Sequence, residues 1–270
     1  MVYLICVLIG IVTAFFGSLV GLGGGVILVP TLLFLHKSYN TFEWASPQVI
    51  VGISLVTMVF TALSSTISYF RKGRVDYRIG FLFLTGSIPG GVFGSWLNQF
   101  INMDLFSIYF GFVMIFLALL LFIKRQPRNN PVQGKTMRVF HVGGQTYQYH
   151  ISIWQSFIIS LFVGVLSGLF GIGGGAIMVP TMILLFGFPA HIAAATSMFM
   201  IFFVSIINAS THIALGHIAW EYALFFIPGA IIGGILGAKV NQMVNGEVLK
   251  WMLRLLLILV GIRLIFEGLL

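Results

Sequence analysis

Ten apolar segments run along the chain, and they fall into two sets of five separated by one polar interval. The first set covers about residues 3–20, 24–36, 48–70, 79–99 and 106–123, and the second about 153–170, 174–187, 191–213, 222–238 and 248–267. A membrane-spanning helix needs about 20 apolar residues, and most of these segments reach or approach that length. The pattern therefore predicts an all-α polytopic membrane protein with little chain left for a soluble domain.

The composition of the chain supports the same class. Hydrophobic residues make up 59% of the 270 positions, and charged residues only 7%. A soluble domain carries about 25% charged residues, so this chain cannot cover a water-facing surface, and we expect no enzyme. The net charge of +8 is interpreted as cytoplasmic loops and contacts with lipid headgroups rather than as a nucleic-acid surface.

The polar interval divides the chain into three predicted units. These are a first membrane repeat at 1–123, a cytoplasmic linker at 124–152 and a second membrane repeat at 153–270. Around Gly143 and Gly144 apolar and polar residues alternate, which is typical of a β-hairpin with a two-residue turn. A flexible loop is the alternative structure for this linker.

The two membrane halves repeat each other in sequence. Residues 19–31 match residues 169–181, and residues 86–94 match residues 229–237. The second match also pairs Ser54 with Ser197. Two motifs in the same order indicate an internal duplication.

Each copy of the first motif contains three consecutive glycines and, five residues later, a proline. The proline is Pro30 in the first half and Pro180 in the second. Glycine costs about 1 kcal/mol relative to alanine inside a helix, and proline lacks the N–H group that a helix interior needs. We therefore predict a helix, a break and a short second helix that begins near the proline.

The basic residues predict how the halves are oriented. The 71–78 loop holds four of them, and the linker holds five more, which favours the cytoplasm for both. The corresponding 214–221 loop of the second half has none. If each broken pair is a hairpin that enters and leaves on one side, only Lys37 and Arg263 lie outside. This pattern predicts two inverted-topology repeats, each a Gly/Pro-broken helix hairpin plus three membrane helices, with both termini outside.

The breaks are also the first candidates for a binding site. Free backbone groups at membrane depth are tolerated only where protein buries them or water reaches them. Interrupted segments at corresponding positions of two halves are typical of a transporter's central site, and N–H groups at a helix start favour an anion. Close packing through small residues is the alternative. The motif Gly-Lys-Ser/Thr follows neither glycine run, so a nucleotide site is not indicated.

Uncharged polar residues of the middle segments complete the predicted site. We expect the anion to lie between the breaks, with Ser54, Ser197 and Asn208 donating hydrogen bonds to it. Hydrogen bonding of each Ser or Thr to the carbonyl one turn earlier is the alternative, as is a position at the membrane interface for His212. The predicted substrate-binding residues are Gly23, Gly24, Gly25, Ser54, Ser65, Gly173, Gly174, Gly175, Thr196, Ser197, Asn208, Thr211 and His212.

Taken together, these motifs resemble a known family. The duplicated element G-[LI]-G-G-G-x-[IL]-x-V-P-T, the later Ala195-Thr196-Ser197-Met198 and the Gly-x-Val/Ile after each third segment resemble the sulfite exporter TauE/SafE family. The resemblance covers both apolar halves and leaves only the linker outside. It implies a plasma-membrane permease, of bacterial or archaeal type, for small anions of the sulfite, thiosulfate or organosulfonate class.

Export of sulfite or a related anion is accordingly the predicted function. Proton- or sodium-coupled uptake of a small organic anion and an anion channel are the alternatives. All six acidic residues fall in loops or near segment ends, so no buried carboxylate relay for protons is evident. We expect no metal and no cofactor. The expected partners are the anion and membrane lipid, not nucleic acid, and exposed apolar helix surface would allow a homodimer.

Overall fold

The computed structural model describes residues 2–100, 103–120, 136–142 and 145–269. These residues form ten α-helices and two β-strands. The helices of the first half are α1 (Val2–Val20), α2 (Gly25–Ser38), α3 (Pro47–Phe70), α4 (Tyr77–Leu97) and α5 (Met103–Leu120). Those of the second half are α6 (Ile153–Phe170), α7 (Gly175–Thr181), α8 (Ala190–Ala214), α9 (Trp220–Asn241) and α10 (Gly246–Leu269).

Six of the described helices are long and apolar enough to cross a membrane: α1, α3, α4, α6, α8 and α9. The described chain is predominantly helical, as predicted. The two strands, β1 (Thr136–Val142) and β2 (Gln145–Ile151), pair antiparallel within the polar interval, with Thr136 opposite Ile151. The expected turn residues Gly143 and Gly144 and the linker residues 121–135 lie outside the described residues.

The glycine runs form two sharp reversals, which we name the first break (residues 21–24) and the second break (residues 171–174). In the first, Gly21, Gly23 and Gly24 have φ angles of 81°, 84° and 97°, a conformation that only glycine adopts without strain. Gly24 packs back against α1, since a Cβ there would lie 2.9 Å from the Thr13 carbonyl oxygen. Each break therefore joins a long and a short helix into a hairpin.

The expectation that the second helix begins near the proline is wrong. Helices α2 and α7 begin at Gly25 and Gly175, so that Pro30 and Pro180 lie inside them. The left-handed Gly24 and Gly174 complete the reversal, so the next residue can begin the helix at once. After α7 the chain continues as a π-helix over Met182–Phe186.

Helices of the two halves pack against each other in equivalent pairs. Helix α1 runs parallel to α9, with Gly10 against Phe226 and Phe15 against Gly237. Helix α4 runs parallel to α6 in the same way, through its glycines 86, 90 and 94. These small residues let the backbones approach closely, as is common between membrane helices.

Two further contacts join helices that occupy equivalent positions in the two halves. Helix α3 runs antiparallel to α8, because Gly52 lies next to His217 whereas Phe70 contacts Phe199 at 5.7 Å between ring centroids. Helix α5 likewise runs antiparallel to α10, with Gly111 next to Ile265. The centre of the molecule is therefore the crossing of α3 and α8, which the two breaks flank.

Candidate functional site

The two breaks meet at the centre of the helix bundle. Gly175, the first residue of α7, lies so close to the first break that a Cβ on it would be 2.6 Å from the Gly21 carbonyl oxygen. Gly25, the first residue of α2, contacts the Gly171 carbonyl in the equivalent way. The N–H groups in the first turn of a helix have no partner within the helix. Two helix starts with such groups therefore face one region.

Two buried hydrogen bonds hold the breaks crosswise. The Ser54 hydroxyl, on α3, donates to the Gly171 carbonyl oxygen at 2.8 Å. The Ser197 hydroxyl, on α8, donates to the Gly21 carbonyl oxygen, also at 2.8 Å. Each bond joins a middle helix of one half to the break of the other half. In this conformation the hydroxyl protons of both predicted donors are used to hold the breaks.

Two side chains that the sequence prediction missed fill the space between the breaks. Met58 and Ile201 are both fully or almost fully buried. A Cβ on Gly173 would lie 3.1 Å from the Met58 sulfur, and one on Gly23 would lie 3.1 Å from Ile201 Cγ2. The internal repeat could have identified both residues, because they lie one helical turn after Ser54 and Ser197 in matching positions of the two halves. An anion can enter between the breaks only when these side chains move, and the flexible Met58 can do so most easily.

A small cavity adjoins the second break. Its volume is about 10 Å³, which holds about one water molecule. Its polar lining consists of Ser87, Ser167, the glycines 173–175 and Ser197. The cavity lies at the predicted binding residues of the second half and is too small for an oxyanion, so this conformation is closed.

Asn208 and His212 lie further along α8, on the same face as the cavity. The Asn208 amide Nδ2 donates to the Ser167 hydroxyl at 3.4 Å, and its Oδ1 has no hydrogen-bond partner among the residues that the structure describes. The Nδ1 atoms of His212 and His217 are 3.3 Å apart, so one proton can be shared between them. His217 lies in the turn after α8, where partial burial lowers the pKa of its imidazole.

Three predicted site residues lie away from the breaks. Ser65 lies where α1, α3 and α9 meet, with its hydroxyl 2.7 Å from that of Ser18. The Thr196 hydroxyl accepts a hydrogen bond from the backbone N–H of Asp76 at 3.1 Å. The Thr211 hydroxyl donates to the Ile207 carbonyl of its own helix at 3.1 Å. In this conformation, therefore, the structure brings the glycines, Ser54 and Ser197 together, but not these three.

The described residues contain no group of three or more His, Cys, Asp or Glu side chains that could hold a metal ion. The cysteine at position 6 is free and buried. What the centre offers a ligand is therefore uncharged: backbone N–H groups, hydroxyls and an amide. Such donors suit an anion that must be released after it has been bound.

One known protein family matches nearly the whole of this chain. The family described as "Sulfite exporter TauE/SafE" matches residues 6–264, which include both breaks, all of α1 from Cys6 onward and the other five membrane-capable helices. The chain belongs to this family. The resemblance drawn from the duplicated glycine motif is thereby confirmed.

Relatives with curated names are similar along their full length. The chain is 42% identical over 270 residues to "Probable membrane transporter protein YunE" of Bacillus subtilis, covering 99% of each chain. It is 27% identical to "Probable membrane transporter protein YdhB" of the same bacterium, covering 98% of this chain and 100% of that one. A "Probable membrane transporter protein" of Haemophilus influenzae is 25% identical over 96% of this chain. No solved structure matches.

These comparisons and the fold agree on the class of protein. TauE/SafE proteins are a family of membrane transporters, and this chain has the helices needed to cross a membrane several times. It is a multi-pass protein of the plasma membrane, as predicted. The small-molecule substrate of such a transporter must meet residues at membrane depth, where the two breaks are the irregular backbone.

Proposed function

We propose that the protein exports sulfite, or a related sulfur oxyanion or organosulfonate, across the plasma membrane. The observation that carries the proposal is the meeting of the two breaks, where α2 and α7 both begin. The first turn of a helix carries a positive partial charge and free N–H groups, which together favour an anion. Two such helix starts at one place supply this stabilisation twice.

In the transporting conformation the anion lies between the breaks. Backbone N–H groups near residues 23–25 and 173–175 replace its hydration shell, and Ser54 and Ser197 turn their hydroxyls from the break carbonyls to the anion. Asn208 donates from about three turns further along α8, where it lies against Ser167. Met58 and Ile201 separate the breaks in the closed conformation and move aside when the anion binds.

Export needs no coupling ion. The inside of a cell is negative, and each unit of negative charge that leaves gains about 2.3 kcal/mol per 100 mV. Uptake of the same anion would oppose this field. Two alternative functions are proton- or sodium-coupled uptake of an organic anion and an anion channel. The homodimer stays a prediction.

We also propose that the two halves are inverted repeats. The support is that the equivalent helices α3 and α8 run antiparallel, as do α5 and α10. A two-fold rotation that places α3 on α8 and α5 on α10 must reverse the direction of each helix. The axis of this rotation therefore lies in the membrane plane. The arginine-rich 71–78 loop then faces the cytoplasm, and the 214–221 loop faces outside.

Flux measurements in liposomes test the proposed export. Purified protein is reconstituted, and efflux of sulfite, thiosulfate, sulfate, sulfoacetate and taurine is measured with and without a pH gradient. We expect sulfite or a sulfonate to move under a membrane potential alone, and protein-free liposomes to show no efflux. Movement only with a proton or sodium gradient would favour coupled uptake. No flux of any anion would refute the proposal.

A further inference from the structure

Two equivalent helix junctions flank the centre, and we name them the first seam (α1, α3 and α9) and the second seam (α4, α6 and α8). Their equivalence is visible in one pair of hydrogen bonds. In the first seam Asn241 Nδ2 donates to the Leu19 carbonyl oxygen at 2.7 Å. In the second seam Asn98 Nδ2 donates to the Leu169 carbonyl oxygen, also at 2.7 Å.

The first seam is closed by hydrogen bonds between its own polar groups. The Ser18 hydroxyl donates to the Gly234 carbonyl oxygen at 2.8 Å, and the Ser65 hydroxyl lies 2.7 Å from that of Ser18. The Tyr69 hydroxyl donates to the Ser18 carbonyl oxygen at 2.9 Å. This network ties α1, α3 and α9 together.

The second seam differs, because a row of its polar atoms has no hydrogen-bond partner among the described residues. The residues that carry these atoms are at most 2% exposed. The atoms of this row are Ser87 Oγ, Ser95 Oγ, Asn98 Oδ1, Ser205 Oγ, Asn208 Oδ1 and His212 Nε2, and Ser156 Oγ near the start of α6 is a further one outside the row. Buried polar atoms are normally hydrogen-bonded to protein or to ordered water, so six such atoms in one junction need an explanation.

The row follows a continuous line through the molecule. On α8, Ser205, Asn208 and His212 are three and four residues apart and so share a helix face. The row begins at the cavity beside the second break, which Ser87 and Ser197 line. It ends at the His212–His217 pair, and a rise of about 1.5 Å per residue puts that end roughly 22 Å from Ser197 along the helix. His217 is partly exposed in the turn at 215–219.

We propose that the second seam is the path along which the hydrated anion moves between the second break and the turn at 215–219. This inference rests on the proposed anion transport and names its route. When the seam opens, water and the anion provide the partners that the six polar atoms lack in the closed conformation. The first seam stays closed, because Ser18, Ser65 and Tyr69 are already hydrogen-bonded within it.

His212 also acts on the anion directly, since it is the last polar residue of the row on α8 before the turn at 215–219. A charge on a buried imidazole is costly, but an anion in the seam offsets that cost. The imidazole lone pair therefore binds one proton from water as the anion arrives and returns it to water as the anion leaves. His217 is the titratable group that acts on His212 among the described residues. The neighbouring groups of α4 and α6 are neutral, and among them the backbone of Gly168 acts on the His212 imidazole.

The duplication offers matched controls. The position equivalent to Ser205 in the first seam is Ala62, and the position equivalent to His212 is Tyr69. Ala62 and Ser205 are both fully buried, so a cysteine at either position is equally shielded in the closed conformation. A difference in reactivity between the two then reports which seam admits water.

The first experiment measures access of silver ions, which are small and hydrated. Ser205→Cys and Ala62→Cys are each made on a Cys6→Ala background, reconstituted, exposed to Ag⁺ and quantified for free thiol after unfolding. We expect the cysteine at 205 to react at least about ten-fold faster, and Ag⁺ to block sulfite efflux only in that variant. Equal rates at both positions, or no reaction at 205, would overturn the proposed path.

The second experiment tests His212 through the pH dependence of sulfite efflux. Efflux by His212→Gln is divided by that of the wild type at each pH, so that titration of sulfite itself cancels. We expect the ratio to fall to about one tenth near pH 5.5 and to approach one near pH 8. His191→Gln, whose imidazole bonds Asn241 in the first seam, should give a constant ratio. A constant ratio for His212→Gln would refute its protonation.

The two proposals fail in distinguishable ways. Absence of anion flux from the wild-type protein would refute the transport function. The silver rates do not depend on flux, so they still decide whether the second seam is hydrated. If His212→Gln did not fold, the comparison of positions 205 and 62 would still test the path.

Discussion

Gly24 and Gly174 are two break residues whose type the structure restricts. Their φ angles are 97° and 72°, and each is also closely packed. A Cβ would lie 2.9 Å from the Thr13 carbonyl oxygen in one case and 2.9 Å from Val163 Cγ1 in the other. A β-branched side chain is therefore excluded both by the backbone conformation and by the lack of space.

We expect Gly24→Val and Gly174→Val to abolish anion flux, because the break cannot form around a β-branched residue. Gly73→Val is the matched control, since Gly73 has a φ of 64° but no heavy atom within 4 Å of the place that a Cβ would take. The control should lose about 1–3 kcal/mol of stability from the backbone strain alone and keep its flux. Efflux assays and melting temperatures separate the two effects. Normal flux in both break variants would show that the breaks only pack helices.

Asn208→Ala should weaken anion affinity by about 1–3 kcal/mol, the usual cost of removing a buried hydrogen-bond partner. Asn241→Ala is the comparison, because that amide bonds the Leu19 carbonyl in the first seam. It should lower the melting temperature without changing the affinity. Titration calorimetry with sulfite measures both affinities. An unchanged affinity in Asn208→Ala would remove this residue from the site.

At the scale of helices, the crosswise bonds of Ser54 and Ser197 predict a pair of equal effects. Ser54→Ala and Ser197→Ala should each lower stability by about 1–3 kcal/mol, because each leaves a buried break carbonyl without its donor. Thr57→Ala should cost less, since the Thr57 hydroxyl bonds only the Ile53 carbonyl of its own helix. Thermal unfolding in detergent compares the three variants. A larger loss in Thr57→Ala would show that these bonds do not hold the breaks.

The helices and the position of the breaks could be predicted from the sequence because their causes are local. Apolar length decides whether a helix can cross the membrane, and consecutive glycines destabilise a helix wherever they occur. The start of α2 was placed too late because a glycine with positive φ, rather than Pro30, defines the reversal. Which of the consecutive glycines adopts the positive φ cannot be predicted from the sequence, so the first residue of α2 could not be predicted either.

The site was predictable only in part, because its central contacts join distant residues. The partner of Ser54 is 117 residues away, and that of Ser197 is 176 residues away. The pattern identified both serines as polar residues at membrane depth, but their bonds to the breaks depend on how the halves cross. Met58 and Ile201 were missed because an apolar residue in an apolar segment does not stand out, and only their matching positions one turn after Ser54 and Ser197 could have identified them.

For the whole molecule, the antiparallel packing of equivalent helices predicts the membrane topology. Arg74 and His217 occupy equivalent positions of the two halves, and inverted repeats place them on opposite sides of the membrane. Cysteines are introduced singly at 74 and at 217 on a Cys6→Ala background, and a membrane-impermeant reagent added to intact cells should therefore label only one of them, while the other reacts only after the cells are opened. We expect position 217 to be labelled from outside. Labelling of both positions from the same side would show that the repeats are parallel.

The crosswise bonds also set the order in which the protein can be completed during synthesis. Ser54 is already in place when Gly171 leaves the ribosome, so the second break meets its donor at once. Gly21 is made early, but its donor Ser197 follows 176 residues later. The first half must therefore wait in the membrane with one break unfinished until α8 is inserted. A chain that stops before α8 lacks the Ser197 hydroxyl that donates to this carbonyl.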